Sequence, residues 1–175
     1  MGMDIYLNIE RKWNNEWQLV RDYNAVPHGR GYRIYDLLTG MIGYDEVISF
    51  CKPRGVPKDA SAPYKSQVHD HGGYYHTHSY ITLDEFEMFH WDKMVYEGDF
   101  ADTYKRMANW LYDIVIPMMR FESSTRCRTD VRLLFYFSEA YRNWTDGFEP
   151  KSSYFLKKTK KLRIPILDGP RADCG

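Results

Sequence analysis

The stretch Asp130–Phe137, DVRLLFYF, decides the fold. Val131, Leu133, Phe135 and Phe137 recur at every second position, the period of a β-strand. Leu134 and Tyr136 keep the opposite face largely apolar as well. A strand apolar on both faces belongs in the middle of a sheet, and the natural neighbour is the alternating segment Met3–Arg11. There Ile5, Leu7 and Ile9 alternate with Tyr6, Asn8 and Glu10.

Working outward, Asn14-Asn15 can turn the chain so that Trp17–Val20 returns as a second strand. Ile34, Leu37, Leu38 and Met41 have helical spacing after the breaker-rich loop Pro27–Gly31, with a stop near Gly40 or Gly43. Residues 51–75, punctuated by Pro53, Gly55, Pro57, Pro63 and Gly72-Gly73, read as one long irregular segment. Thr82 and Glu85 form a capping-box signature, with Ile81 and Phe86 spaced as a hydrophobic staple. Asp99 opens a longer helix whose buried stripe is Phe100, Tyr104, Met107, Leu111, Ile114 and Met118, closed by Pro117. Leu162–Leu167 suits an edge strand, because Pro165 does not fit a central one. Strands at both ends with helices between them predict an α+β fold, an antiparallel sheet with helices packed mainly on one face.

Length and composition bound the function classes. The 175 residues suit a single domain, 1–175, and 17% aromatic side chains are too large an apolar supply for a disordered chain. Cys51, Cys127 and Cys174 are odd in number and far apart, which argues for reduced thiols and a cytoplasmic setting. No signal-peptide pattern opens the sequence, Tyr6 argues against myristoylation at Gly2, and no apolar run is long enough to cross a membrane. The formal charge is zero but uneven. The C-terminal segment at about 151–175 holds seven basic and two acidic side chains, leaving 17 basic and 22 acidic in the first 150 residues. Such a basic end allows nucleic-acid contact, although a solvated stretch lying on the acidic body is the more ordinary reading.

Four of the six histidines fall in His69–His78. If Gly72–Tyr75 is a loop, His71 faces His76 and His69 faces His78 across a hairpin, and all four share one face. Such a set could hold zinc, nickel or copper. The plainer alternative is that His76 and His78 support the helix at Thr82 by hydrogen bonding while His69 and His71 lie on a loop. No cofactor is expected, a divalent metal being the alternative. No HExxH, Walker loop, GxSxG or GxGxxG pattern is present. Gly29-Arg30-Gly31-Tyr32 ahead of a helix could receive an anion. Arg120, Arg126, Arg128 and Arg132, with the abundant tyrosines, could hold a nucleotide, or simply pair with acidic surface groups. The tyrosines and tryptophans could equally supply a protein-binding surface.

The segments GRGYRIYDLL (29–38), PRGVPKDAS (53–61), HTHSYITLDE (76–85) and DVRLLFYF (130–137), behind MGMDIYLNIE, together resemble a family of small uncharacterised proteins encoded by bacteriophages and some bacteria. The likeness covers roughly residues 1–137. It implies an origin and no mechanism, and of the histidines it includes only His76 and His78. The resulting expectation is a phage-type accessory protein that acts without catalysis by binding a host or defence-system component. Arg30, Tyr32, Arg54, His76, His78, Arg126 and Arg128 are its candidate binding residues. The alternatives are a metal-dependent hydrolase or nuclease using the His-rich segment, and a nucleotide-sequestering protein.

Overall fold

The computed structural model describes residues 3–26, 32–39, 53–70, 75–89, 91, 101–123 and 128–139, all within the unit Met1–Ala140. The expectations placed on Pro27–Gly31, Gly40–Gly43, Asp99, Phe100 and Leu162–Leu167 lie outside the described residues, as does the basic C-terminal end.

Alternation of apolar side chains produces the sheet. Strands β1 (Met3–Trp13), β2 (Glu16–Arg21), β3 (Tyr75–Thr82) and β4 (Val131–Glu139) pair in the order β2-β1-β4-β3, every pair antiparallel. The stretch read as central is central, with Leu7 opposite Phe135 and Ile9 opposite Leu133. Asn14 and Asn15 carry φ of 48° and 66° in the two-residue turn between β1 and β2. Two successive positive φ values match the right-handed twist of the strands, and asparagine tolerates them better than most residues. With helices α1 (Tyr32–Thr39), α2 (Ala62–Asp70), α3 (Leu83–Met88), α4 (Ala101–Trp110) and α5 (Ile116–Glu122), the fold is α+β.

The two sheet faces are built differently. Ile5, Leu7, Ile9, Ile81, Val131, Leu133, Phe135 and Phe137 join one core with Ile34, Leu37 and Leu38 of α1, Leu83 and Phe86 of α3, Tyr104 and Ala108 of α4, and Met119 of α5. The alternate positions Leu134 and Tyr136 form a second cluster with Ala60 and Tyr64, flanked by Tyr6, Val56, Val68 and Tyr80.

Three sequence expectations are corrected. Residues 51–75 are not irregular throughout, because Ala62–Asp70 is helical. Ser61 stands at its N-cap, its hydroxyl accepting the Tyr64 N–H at 3.4 Å. Pro63 occupies the first turn, where a missing N–H costs nothing. Only Tyr64 of this helix is fully buried, so no apolar stripe announces it. Second, His69 belongs to that helix, so the hairpin in which it faces His78 is not formed.

The third correction concerns Pro117, which does not end its helix. The preceding turn, Leu111–Val115, is π-helical, and the N–H of Ile116 reaches back five residues to the Leu111 carbonyl. Pro117 then falls in the first turn of α5, and the helix runs on to Glu122. One extra residue shifts the helical phase by about 100°. The buried stripe therefore passes from Leu111 to Val115 and Met119, and Ile114, expected inside, is 41% exposed.

Candidate functional site

On the second face of the sheet, Arg132 and Glu10 stand opposite each other in the β1–β4 ladder. Arg132 Nε donates to Glu10 Oε2 at 2.9 Å. Nη2 lies 2.8 Å from the same oxygen, close enough for ion pairing although off the hydrogen-bonding direction. Nη1 donates to Asp59 Oδ1 at 2.8 Å. The guanidinium lies 3.8 Å from the Trp17 ring centroid, and the Trp17 indole N–H donates to Asp59 Oδ2 at 2.8 Å. The Ser61 N–H donates to the remaining Glu10 oxygen at 2.8 Å. Burial opposes the charge on Asp59, but hydrogen bonds from Arg132 and Trp17 outweigh it and hold the carboxyl below its ordinary value.

Beside this network sit Tyr64, Tyr136, Tyr6, Asn8 and His78. Tyr6 and Tyr136 stack at 5.0 Å and 9°, and the His78 and Tyr136 rings are 5.4 Å apart. Burial, with Tyr136 and Glu10 adding to it, pushes the Tyr64 phenol above its usual range and keeps it neutral. The side chain of Asn8 and the hydroxyl of Tyr64, both in fully buried residues, have no hydrogen-bond partner among the described residues. Glu10 of β1, the 53–61 loop, the 76–85 segment and β4 all meet here.

The predicted site residues are dispersed. Arg54 lies in that loop: its N–H donates to Ser79 Oγ at 3.1 Å, and its guanidinium donates to Glu85 at 2.9 Å and lies 5.3 Å from the Tyr80 ring centroid. Gly55 has φ +76°, which a side chain would strain, and its N–H donates to the His78 carbonyl at 2.9 Å. Thr77, with φ 56°, lies in a bulge between His76 and Ser79. The period of two that would put His76 and His78 on one face is broken there. His76 pairs with Phe137 in the ladder. His69 is 90% exposed on α2, 3.6 Å from Asp70. Tyr32 opens α1. Arg30, His71 and Arg126 lie outside the described residues, and among those described no group of His, Cys, Asp and Glu is arranged to hold a metal ion.

Arg128 belongs to a different place. Arg128 and Arg120 both pair with Glu87, one with each carboxylate oxygen. Burial works against the charge on Glu87, but these two partners prevail and lower its pKa. Glu87 and Arg120 line a groove of about 460 Å³ with Phe89, Trp91, Ala108, Asn109, Tyr112 and Ile116. Trp91 is held firmly: its indole N–H donates to the Phe86 carbonyl at 2.9 Å. Its ring stacks on Phe86 at 5.7 Å and meets Phe89 and Tyr112 edge-on, each at 5.4 Å. Exposed Met88, Ile114 and Phe121 neighbour the lining residues in sequence. Sequence reasoning singled out Arg120 and the supply of aromatic residues but not this groove, whose residues come from the ends of α3 and α4, the π turn and α5.

No family model, curated protein or solved structure matches this chain.

Proposed function

We propose that this protein acts by binding another protein through the aromatic groove between α3 and the α4–α5 helix, without catalysing a reaction. The observation that carries the reading is the groove itself. Its Trp91, fixed by a hydrogen bond and ring contacts, and its half-exposed Tyr112 form the kind of surface that dominates protein–protein hot spots. The ionisable groups of the second face are engaged with one another, Arg132 with Glu10 and Asp59, and Arg54 with Glu85. They read as scaffold that clips the 53–61 loop to the sheet. Of the arginines expected to gather around a nucleotide, Arg132 belongs to that network while Arg120 and Arg128 pair with Glu87. A phage-type accessory role directed at a host or defence component fits such a docking protein and rests on the sequence resemblance alone.

The test is affinity purification from phage-infected cells with wild-type and Tyr112→Ser baits, followed by mass spectrometry. One host protein recovered with wild type and lost with the variant supports the reading. Equal recovery by both baits removes the groove from it.

A further inference from the structure

We infer that the groove receives an acidic, apolar segment of its protein partner, with a carboxylate set between Arg120 and Arg128 and a large apolar side chain packed beside it on Tyr112. The inference deepens the docking proposal and rests on it.

Charge supplies the first argument. Two guanidiniums share the single carboxylate of Glu87, so this triad carries one net positive charge at the edge of an apolar groove. Arg120 engages Glu87 through Nε and Arg128 through Nη1, while both side chains remain 48% exposed. Their outer N–H groups face solvent in the fork geometry that a second carboxylate matches. Arg128 is held there at a cost, since its φ of 52° is left-handed for a residue with a Cβ.

The shape of the wall supplies the second. Phe86 covers one face of Trp91, and the edge contacts of Phe89 and Tyr112 hold the ring in place. What remains open is the ring of Tyr112, 47% exposed, with Ala108 and Ile116 lining the groove as buried side chains, a surface for an inserted side chain rather than a slot between two ring faces. Met88, 70% exposed, stands between the lining residues Glu87 and Phe89. A polypeptide segment therefore fits better than a nucleotide.

Short random peptides displayed on yeast are selected on the full chain, and the winners are re-bound to variants of matched melting temperature. The expected winners carry Asp or Glu next to Phe, Trp, Leu or Met. Their binding falls about tenfold in Arg120→Gln/Arg128→Gln, recovers in part in Arg120→Lys/Arg128→Lys, and falls as strongly in Tyr112→Ser. Should the arginine variants fail to fold, Asn109→Asp serves instead. It adds a carboxylate to the exposed lining, touches no partner of Glu87, and weakens the same peptides. Winners without acidic residues that are still lost on Tyr112→Ser overturn the acidic assignment and leave groove docking intact. Winners indifferent to Tyr112→Ser overturn both, and displacement by adenosine monophosphate reassigns the site to nucleotides.

Discussion

Glu10 and Arg132 face each other across β1 and β4, and their side chains meet in an ion pair almost sealed from solvent, 0% and 4% exposed. Breaking such a pair from one side strands a buried charge, whereas replacing both partners with apolar groups of similar size leaves none. Glu10→Ala is expected to cost about 3–5 kcal/mol. The double variant Glu10→Leu/Arg132→Met should cost less than the sum of its singles, because Asp59 is 64% exposed and can be hydrated. Urea denaturation of the full cycle checks this, and strictly additive losses would contradict it.

Two aromatic truncations should separate the faces of the sheet. Phe135→Ala opens a cavity in the larger core and should cost about 3–5 kcal/mol. Tyr64→Phe removes a buried hydroxyl that has no partner among the described residues. It should leave stability within about 0.5 kcal/mol of wild type or raise it, since deleting an unsatisfied polar group relieves its desolvation cost. A loss comparable to that of Phe135→Ala would show that the hydroxyl has a partner after all.

Acid should weaken the clip between the 53–61 loop and α3. Burial opposes the charge on Glu85, yet hydrogen bonds from Arg54 and Thr82 outweigh it and depress the carboxyl below its ordinary 4.5. A depressed carboxylate stabilises the fold above the unfolded-state pKa, and that contribution disappears as pH falls through the folded-state value. Glu85→Gln should therefore melt earlier than wild type at about pH 7, and the gap should close below about pH 4. Added salt should narrow it too, because the pair is partly exposed. A gap unchanged by acid would assign the loss to packing.

His78 offers a test of scaffold against metal. Its carbonyl receives Gly55 and its ring lies against Tyr136. His78→Ala keeps the backbone carbonyl that receives Gly55 and removes the ring packed against Tyr136. It should cost about 1–3 kcal/mol with or without chelator, and EDTA should leave the wild-type melting temperature unchanged. A chelator-dependent fall in the wild type, restored by zinc, would favour the hydrolase alternative.

Legibility followed the regularity of the local pattern. β1 alternates cleanly, β4 repeats Val131, Leu133, Phe135 and Phe137 at every second position, and the Thr82–Glu85 box forms as spelled, the Glu85 N–H donating to Thr82 Oγ1 at 3.2 Å and the Thr82 N–H to Glu85 at 3.0 Å. Helix α2 was hidden because it buries Tyr64 alone among breaker residues. The alternation of β3 is interrupted at Thr77, where a bulge inserts a residue. At the candidate sites, Arg54 and His78 could be named in advance, but their partners Glu85 and Tyr136 lie 31 and 58 positions away in the numbering. The groove left no periodic trace, being assembled from positions whose only common property is where the chain happens to bring them.

The widened turn at Leu111–Val115 has one more consequence. Because it advances everything after it by a single position, it works as an indexing step that decides which side of α5 meets α3. Deleting one residue there would turn Arg120 by about 100° about the helix axis, taking it away from Glu87 while Tyr112 and the turns before it kept their bearings. The cationic edge at Arg120 thus lies beyond the turn and the ring of Tyr112 at its start, and one inserted residue sets them to face the same way.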